Sequence, residues 1–220
     1  MAILYGIGVG PGDKELVTVK AARIIEHCDV IVAPSAMEGG GSIALETARE
    51  YIKEESEIIV KHFPMGAKGK EIKVKEAYDL IEGKLREGKN VAFLTIGDPY
   101  VYSTYIHLLT HIQEKNFEVR TIPGITSFCA AASIVDRTLV LGDEPLLVLP
   151  ATRVKDIKDE KYVVIMKVYK EEENVINILE EKGFDYVYVS KAGRDGQTIL
   201  KEKEAIINSR DYMSLILASK

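Results

Sequence analysis

Three short glycine-bearing segments stand where this chain is equipped to do chemistry. They are Tyr5-Gly6-Ile7-Gly8-Val9-Gly10-Pro11-Gly12-Asp13, Gly97-Asp98-Pro99 and Pro123-Gly124-Ile125-Thr126-Ser127. Each follows a run of strand character, and open α/β sheets hold ligands beyond the carboxyl ends of their strands. Alternating glycines let a backbone come close to a neighbour, whether a ligand or the other domain. The spacing excludes the dinucleotide fingerprint. Gly-x-Gly-x-x-Gly needs a glycine three residues after Gly8, and Pro11 stands there. The next strand runs into Pro34 and Ser35, with no acid to grip a ribose. There is no Gly-Lys-Ser/Thr phosphate loop either.

Asp98 offers a carboxylate that can accept from a ribose hydroxyl or an amino group, or else hydrogen-bond its own turn. Thr126 or Ser127 can cap the following helix or face a ligand. Asp13 is placed to cap or start the helix after the first loop. Hydrolytic constellations are missing: His27, His62, His107 and His111 are scattered, and only His107 and His111 share a helix face, without an HExxH pattern. A surface role is expected for that pair and no protein-bound metal. No Ser-His-Asp or Cys-His arrangement emerges, which suits group transfer by positioning.

These loops require an alternating α/β chain to carry them. Strands are predicted over residues 3–9, 30–33, 57–63, 91–95 and 117–120, with helices from about Leu16, after Ser42, over 73–87 and over 103–113. Such alternation implies crossover helices on a mostly parallel sheet. Further on, strands are expected over 146–149, 163–166, 186–189 and 215–218, with helices over 127–133 and 175–181. Pro123-Gly124 is the best punctuation, so the expected domains are residues 1–119 and 120–220. A chain of 220 residues buries roughly 70% of its unfolded surface without staples. Cys28 and Cys129 match no metal or redox spacing and are expected to be buried thiols in a reducing compartment. An apolar run begins at Ile3, so no secretory leader is expected, and no apolar stretch approaches the length of a membrane span. The formal charge of −5 argues against nonspecific duplex binding while leaving room for a polyanionic small molecule held by a local cluster of Lys and Arg.

With these motifs in place, the sequence resembles the tetrapyrrole (corrin/porphyrin) methyltransferases, and within them the precorrin-2 / cobalt-factor II C20-methyltransferases. The opening glycine segment with Glu15, Leu16 and Thr18, Gly97-Asp98-Pro99 and Pro123-Gly124-Ile125-Thr126-Ser127-Phe128 carry the wider likeness. Phe63-Pro64-Met65, Tyr102-Ser103-Thr104 and Leu149-Pro150-Ala151-Thr152 carry the C20 branch. The resemblance implies a two-domain α/β tetrapyrrole methylase fold, with a mostly parallel sheet in the N-terminal domain and a mixed sheet in the C-terminal one. It also implies a homodimer, with S-adenosylmethionine bound between the domains and S-adenosylhomocysteine as product. The donor-binding positions it implies are Val9, Gly97, Asp98, Val101, Ser103, Thr126, Ser127 and Met166, with backbone contacts at Val101 and Met166. Asp98 is expected to hold the donor or shape its loop. No catalytic acid or base is assigned.

For a tetrapyrrole bearing many carboxylates, the candidate substrate positions are Gly10, Pro11, Lys20, Lys61, Arg137 and Lys167. Tyr5, Tyr100 and Tyr105 suit either ring-covering or core and interface roles. The glycine- and lysine-rich segment 65–70 suits a lid. Lys191-Ala192-Gly193-Arg194-Asp195-Gly196 departs from the family pattern, where relatives often carry a Cys-Gly-Met-Pro-like segment. The expected protein is thus a cytoplasmic C-methyltransferase of cobalamin biosynthesis, with no nucleic-acid or membrane partner. The competing readings are a family member acting at another pathway carbon or on a modified protein side chain, and a noncatalytic tetrapyrrole-binding α/β protein.

Overall fold

Val30, Ile31, Val32 and Ala33 are all fully buried, as are Val91, Ala92 and Leu94, with Phe93 nearly so. Strands with no polar face belong in the middle of a parallel sheet covered on both sides, and the computed structural model, which describes residues 2–63 and 70–220, puts them there. The chain divides into two units, Met1–Thr126 and Ser127–Lys220.

The first unit runs β1 (Ile3–Gly8), α1 (Val19–Glu26), β2 (Val30–Ser35), α2 (Ile43–Ala48), β3 (Glu57–His62), α3 (Lys70–Arg86), β4 (Val91–Thr95), α4 (Tyr105–Glu114) and β5 (Glu118–Ile122). The strand order is β3-β2-β4-β1-β5, and every pairing is parallel. The period-two alternation of a strand divides the core in two. Ile31, Ala33, Ala92 and Leu94 pack with Ala21, Ile25 and Leu45 of α1 and α2. Val30, Val32, Val91 and Phe93 pack with Ile81, Leu85, Leu108 and Ile112 of α3 and α4.

Local chemistry sets the helix ends. Thr18 and Ser42 cap α1 and α2 by accepting from the Ala21 and Leu45 N–H groups. Asp13 caps a single 3-10 turn, Lys14–Leu16, so the helix expected from Leu16 starts three residues later, at Val19. Gly88 stops α3 with φ 83°. Its N–H donates to the Leu85 carbonyl and that of Lys89 to Lys84, the paired bonds of a Schellman ending.

β5 pairs with β1 from Ile3↔Glu118 to Ile7↔Ile122. That pairing carries the first unit through Thr126, seven residues past the boundary expected after residue 119. The punctuation at Pro123-Gly124 is the turn that leaves the last strand of the first sheet.

The second unit comprises α5 (Ser127–Ile134), β6 (Leu146–Pro150), β7 (Tyr162–Met166), α6 (Glu172–Glu181), β8 (Asp185–Ser190), β9 (Thr198–Leu200), α7 (Lys203–Asn208) and β10 (Ser214–Ser219). The sheet order is β6-β7-β10-β8-β9. β6 and β7 are parallel, while β10 runs antiparallel to both β7 and β8. The sheet is therefore mixed, and β6, β7 and β8 all end at one edge. Leu149, Ile165, Tyr188 and Ile216 pack against Val175, Ile176 and Leu179 of α6. Val164, Val187, Val189, Leu215 and Leu217 pack against Ala131 and Ala132 of α5.

Of the two cysteines, Cys28 is buried but Cys129 is exposed. Ala130, Ala131 and Ala132 take the inward positions of α5 and leave Cys129 facing out. No helix among the described residues is long and apolar enough to cross a membrane.

Candidate functional site

The carboxyl ends of β1, β4 and β5 are neighbours in the first sheet, and each continues into one of the three glycine segments. Gly8 and Gly124 meet there with no room for side chains. A Cβ at Gly8 would lie 2.6 Å from the Gly124 nitrogen and 2.6 Å from the Gly97 carbonyl oxygen. A Cβ at Gly124 would lie 2.2 Å from the same oxygen. The first and third loops thus need glycine because backbone rests on backbone. Gly97 adopts φ 72°, a conformation that few side chains tolerate. Its N–H donates to the Gly10 carbonyl at 2.7 Å, tying the second loop to the first. The Val9 N–H likewise donates to the Thr95 carbonyl at 2.9 Å.

Asp98 completes the junction. One carboxylate oxygen accepts from the Tyr100 N–H at 2.8 Å, as an Asx-turn does, and the other accepts from the Gly124 N–H at 3.0 Å. One side chain therefore fixes both its own turn and the third loop. A carboxylate carries about four acceptor sites, so lone pairs remain for a ligand hydroxyl. Two hydroxyls at this junction, Thr95 Oγ1 and Thr126 Oγ1, are buried without a hydrogen-bond partner among the described residues. A buried, unsatisfied polar atom is costly. Thr126 does not spend its hydroxyl on capping α5.

Ser103 accepts from the Tyr105 N–H at 3.0 Å and so shapes the entry to α4. Behind it, Tyr105 is fully buried. Its hydroxyl lies 2.8 Å from Thr121 Oγ1, which also accepts from the Tyr100 hydroxyl at 3.0 Å. Burial pushes the Tyr105 phenol above its ordinary range, so it stays protonated as a structural anchor and cannot cover a ligand ring. Tyr100 is 57% exposed and remains able to do so. The strand ends advertised Asp98 and the glycines. Nothing but position singles out Thr95, which closes the apolar β4, and Thr121, the penultimate residue of the alternating β5.

The structure gathers Val9, Gly10, Pro11, Gly97, Asp98, Val101, Ser103 and Thr126 on the strand-end loops of the first unit. Val9 is fully buried in the core, which leaves only its backbone for a ligand. Lys61 is near the carboxyl end of β3, at the far side of the sheet, and Lys20 is exposed on α1. In the second unit Ser127 opens α5, and Met166 and Lys167 stand at the end of β7. Arg137 belongs to the opposite edge of that sheet. Its guanidinium donates to the Asp185 carboxylate and carbonyl at 2.8 Å each and to Ser219 Oγ at 2.6 Å, so its charge is spent within the fold. Segment 65–69 lies outside the described residues, and Lys70 begins α3. His111 packs on Tyr78, with ring centroids 5.2 Å apart, and its Nε2 is 3.5 Å from Glu82 Oε2. Asp79 completes a group whose ligand-type atoms lie within 4.8 Å of one another, while Arg86 already engages Glu82.

Two α/β units, one with a wholly parallel sheet carrying three glycine loops and one with a mixed sheet, define the architecture of a known class. The model of the tetrapyrrole (corrin/porphyrin) methylases matches residues 3–207. This chain belongs to that family. It is 32% identical to the cobalt-precorrin-2 C(20)-methyltransferase of Salmonella typhimurium (strain LT2), over 99% of this chain and 96% of that one. It is 34% identical to the probable cobalt-precorrin-2 C(20)-methyltransferase of Methanocaldococcus jannaschii, with the same coverage of 99% and 96%. The solved structure of a cobalt precorrin-4 methyltransferase shares the fold with a TM-score of 0.79 at 20% identity, covering 99% of this chain and 94% of that one.

Proposed function

We propose that this protein is an S-adenosylmethionine-dependent C-methyltransferase that adds a methyl group at C20 of precorrin-2 or cobalt-factor II in cobalamin biosynthesis. Likeness over nearly the full length of two C20-methyltransferases supports the carbon. The junction of β1, β4 and β5, with two orphaned hydroxyls and a carboxylate that has acceptor capacity to spare, is the observation that carries donor binding.

S-adenosylmethionine, when bound, supplies a sulfonium methyl that a carbon nucleophile takes, and S-adenosylhomocysteine is left. The chain contributes binding and alignment. Asp98 holds the second loop to the third and offers its free lone pairs to a ligand hydroxyl. Thr126 and Ser127 offer hydroxyls, and Gly97, Val9, Val101 and Met166 offer backbone groups, while Ser103 keeps the loop in shape. Gly10, Pro11, Lys20, Lys61 and Lys167 are the substrate-side positions. Arg137 is left out because its guanidinium is engaged by Asp185 and Ser219. Rate enhancement comes from orientation and exclusion of water. The family resemblance supports a homodimer as the active form.

The test is anaerobic incubation of the purified protein with S-adenosylmethionine, offering precorrin-2 and cobalt-factor II in parallel and reading product mass. A gain of one methyl on either supports the reading, and the form that reacts tells whether the substrate carries cobalt. Failure on both would refute it. Tetrapyrrole binding without consumption of the donor would instead favour a noncatalytic binding protein.

A further inference from the structure

The segment Lys191 to Gly196, which follows β8, contains a cation with no acceptor among the described residues. Arg194 Nη1 is buried and has no hydrogen-bond partner, and none of the ion pairs among the described residues includes its guanidinium. Arg194 as a whole is partly exposed, but a guanidinium nitrogen shut from water without an acceptor is still costly to keep. Asp211, the acid that engages this loop, accepts from Lys191 Nζ at 3.1 Å and from Ser190 Oγ at 3.0 Å, and the adjacent Asp195 is exposed and forms no ion pair with Arg194.

The loop that presents Arg194 is tightly built. Lys191 is held at φ 48°, a conformation that costs about 1 kcal/mol or more outside glycine and persists only where the surroundings impose it. Its N–H donates to the Met213 carbonyl at 2.9 Å. The Arg194 N–H donates to the Lys191 carbonyl at 2.9 Å, the Gln197 N–H to the Arg194 carbonyl at 3.0 Å, and the Gly193 N–H to Gln197 Oε1 at 2.8 Å. Such a loop lowers the entropy cost of presenting a side chain.

Its place in the unit matters as well. β7 and β8 flank β10 and end at the same edge, with Met166 opposite Leu215 and Ser190 opposite Ser214. Arg194 therefore leaves from the edge that carries Met166 and Lys167, and Lys167 is also left-handed, at φ 57°.

We infer that Arg194 is a carboxylate-binding residue, its planar fork receiving an acid group of a bound ligand. The inference rests on the proposed function, because both ligands of that reading carry carboxylates: the donor on its amino-acid end, the tetrapyrrole on its side chains. A guanidinium matches a carboxylate with two parallel N–H···O bonds, which a lysine cannot reproduce.

Calorimetric titration of the full-length protein distinguishes the two sources. S-adenosylhomocysteine is compared with 5′-methylthioadenosine, which lacks the carboxylate, and cobalt-factor II with its carboxyl-esterified form. Arg194→Gln is expected to weaken one acid ligand by about 10- to 100-fold and to leave its carboxylate-free counterpart unchanged. Arg194→Lys is expected to recover only part of the loss. A loss confined to S-adenosylhomocysteine assigns the donor's carboxylate, and one confined to cobalt-factor II assigns the substrate's. If Arg194→Gln fails to fold, Arg194→Lys is read against wild type in the same way. A folded variant that binds both acids as wild type does overturns the inference alone. A wild-type protein that binds neither overturns the proposed function together with it.

Discussion

With one oxygen on the Tyr100 N–H and the other on the Gly124 N–H, Asp98 joins two loops that are far apart in the chain. The turn-forming and ligand-holding readings of this residue are compatible, because two hydrogen bonds do not exhaust a carboxylate. Asp98→Ala releases both N–H groups and removes the spare acceptors. Calorimetry with S-adenosylhomocysteine should show donor affinity falling at least about tenfold, the scale of one charged hydrogen bond. Neutralising Lys61 and Lys167 together should raise the KM for tetrapyrrole while donor affinity stays as it was. Equal effects on both ligands would remove these lysines from the substrate side. Cys28 supplies a pH-dependent prediction. Burial pushes its thiol from 9.0 up to about 12. Between those values the unfolded chain gives up the proton and the folded chain keeps it, so stability falls as pH rises, by up to about 1.4 kcal/mol per unit from this group. Denaturant melts at pH 8–11 should therefore be less steeply pH-dependent in Cys28→Ala. Asp98 was legible because Gly-Asp-Pro closes an apolar strand. Thr126 was named from its place in the third loop, but Thr95 was not, since a missing partner is a property of the surroundings.

At the scale of elements, the three strand ends work as one object because glycine lets them touch. Gly124→Ala would push a Cβ to 2.2 Å from the Gly97 carbonyl oxygen. The backbones would have to part, at about 1–3 kcal/mol, visible as a lower melting temperature together with weaker donor binding. An alanine accommodated with neither change would mean that the close approach is dispensable. The central strands β2 and β4 were readable as apolar runs, and the helices as periodic segments with Ser42 ahead of α2 and a glycine stop at Gly88, whereas the cap of α1 is Thr18 and not the expected Asp13. β9 and α7 escaped sequence reading for a physical reason. β9 is three residues at a sheet edge with Ile199 43% exposed, and α7 is a six-residue helix, too short for periodicity to show. The two units divide after Thr126, a few residues beyond the expected boundary, and a Pro-Gly turn punctuates the exit from an edge strand as readily as the exit from a domain. Only the pairing of β5 with β1 tells which.

For the whole molecule, family membership joins two α/β units to one chemistry, and a ligand that binds the folded state must stabilise it. At 100 times its Kd, S-adenosylhomocysteine should add about 2.7 kcal/mol, seen as a rise in melting temperature that grows with ligand concentration. Sedimentation at micromolar protein is expected to show a dimer, and a monomer retaining full activity would contradict the proposed active form. The position of the transferred methyl is the sharpest question. The measurement that answers it is carbon-13 NMR of the product made from S-adenosylmethionine labelled in its methyl group. A single labelled methyl attached to C20 is the predicted result, and a labelled methyl on any other carbon would contradict it.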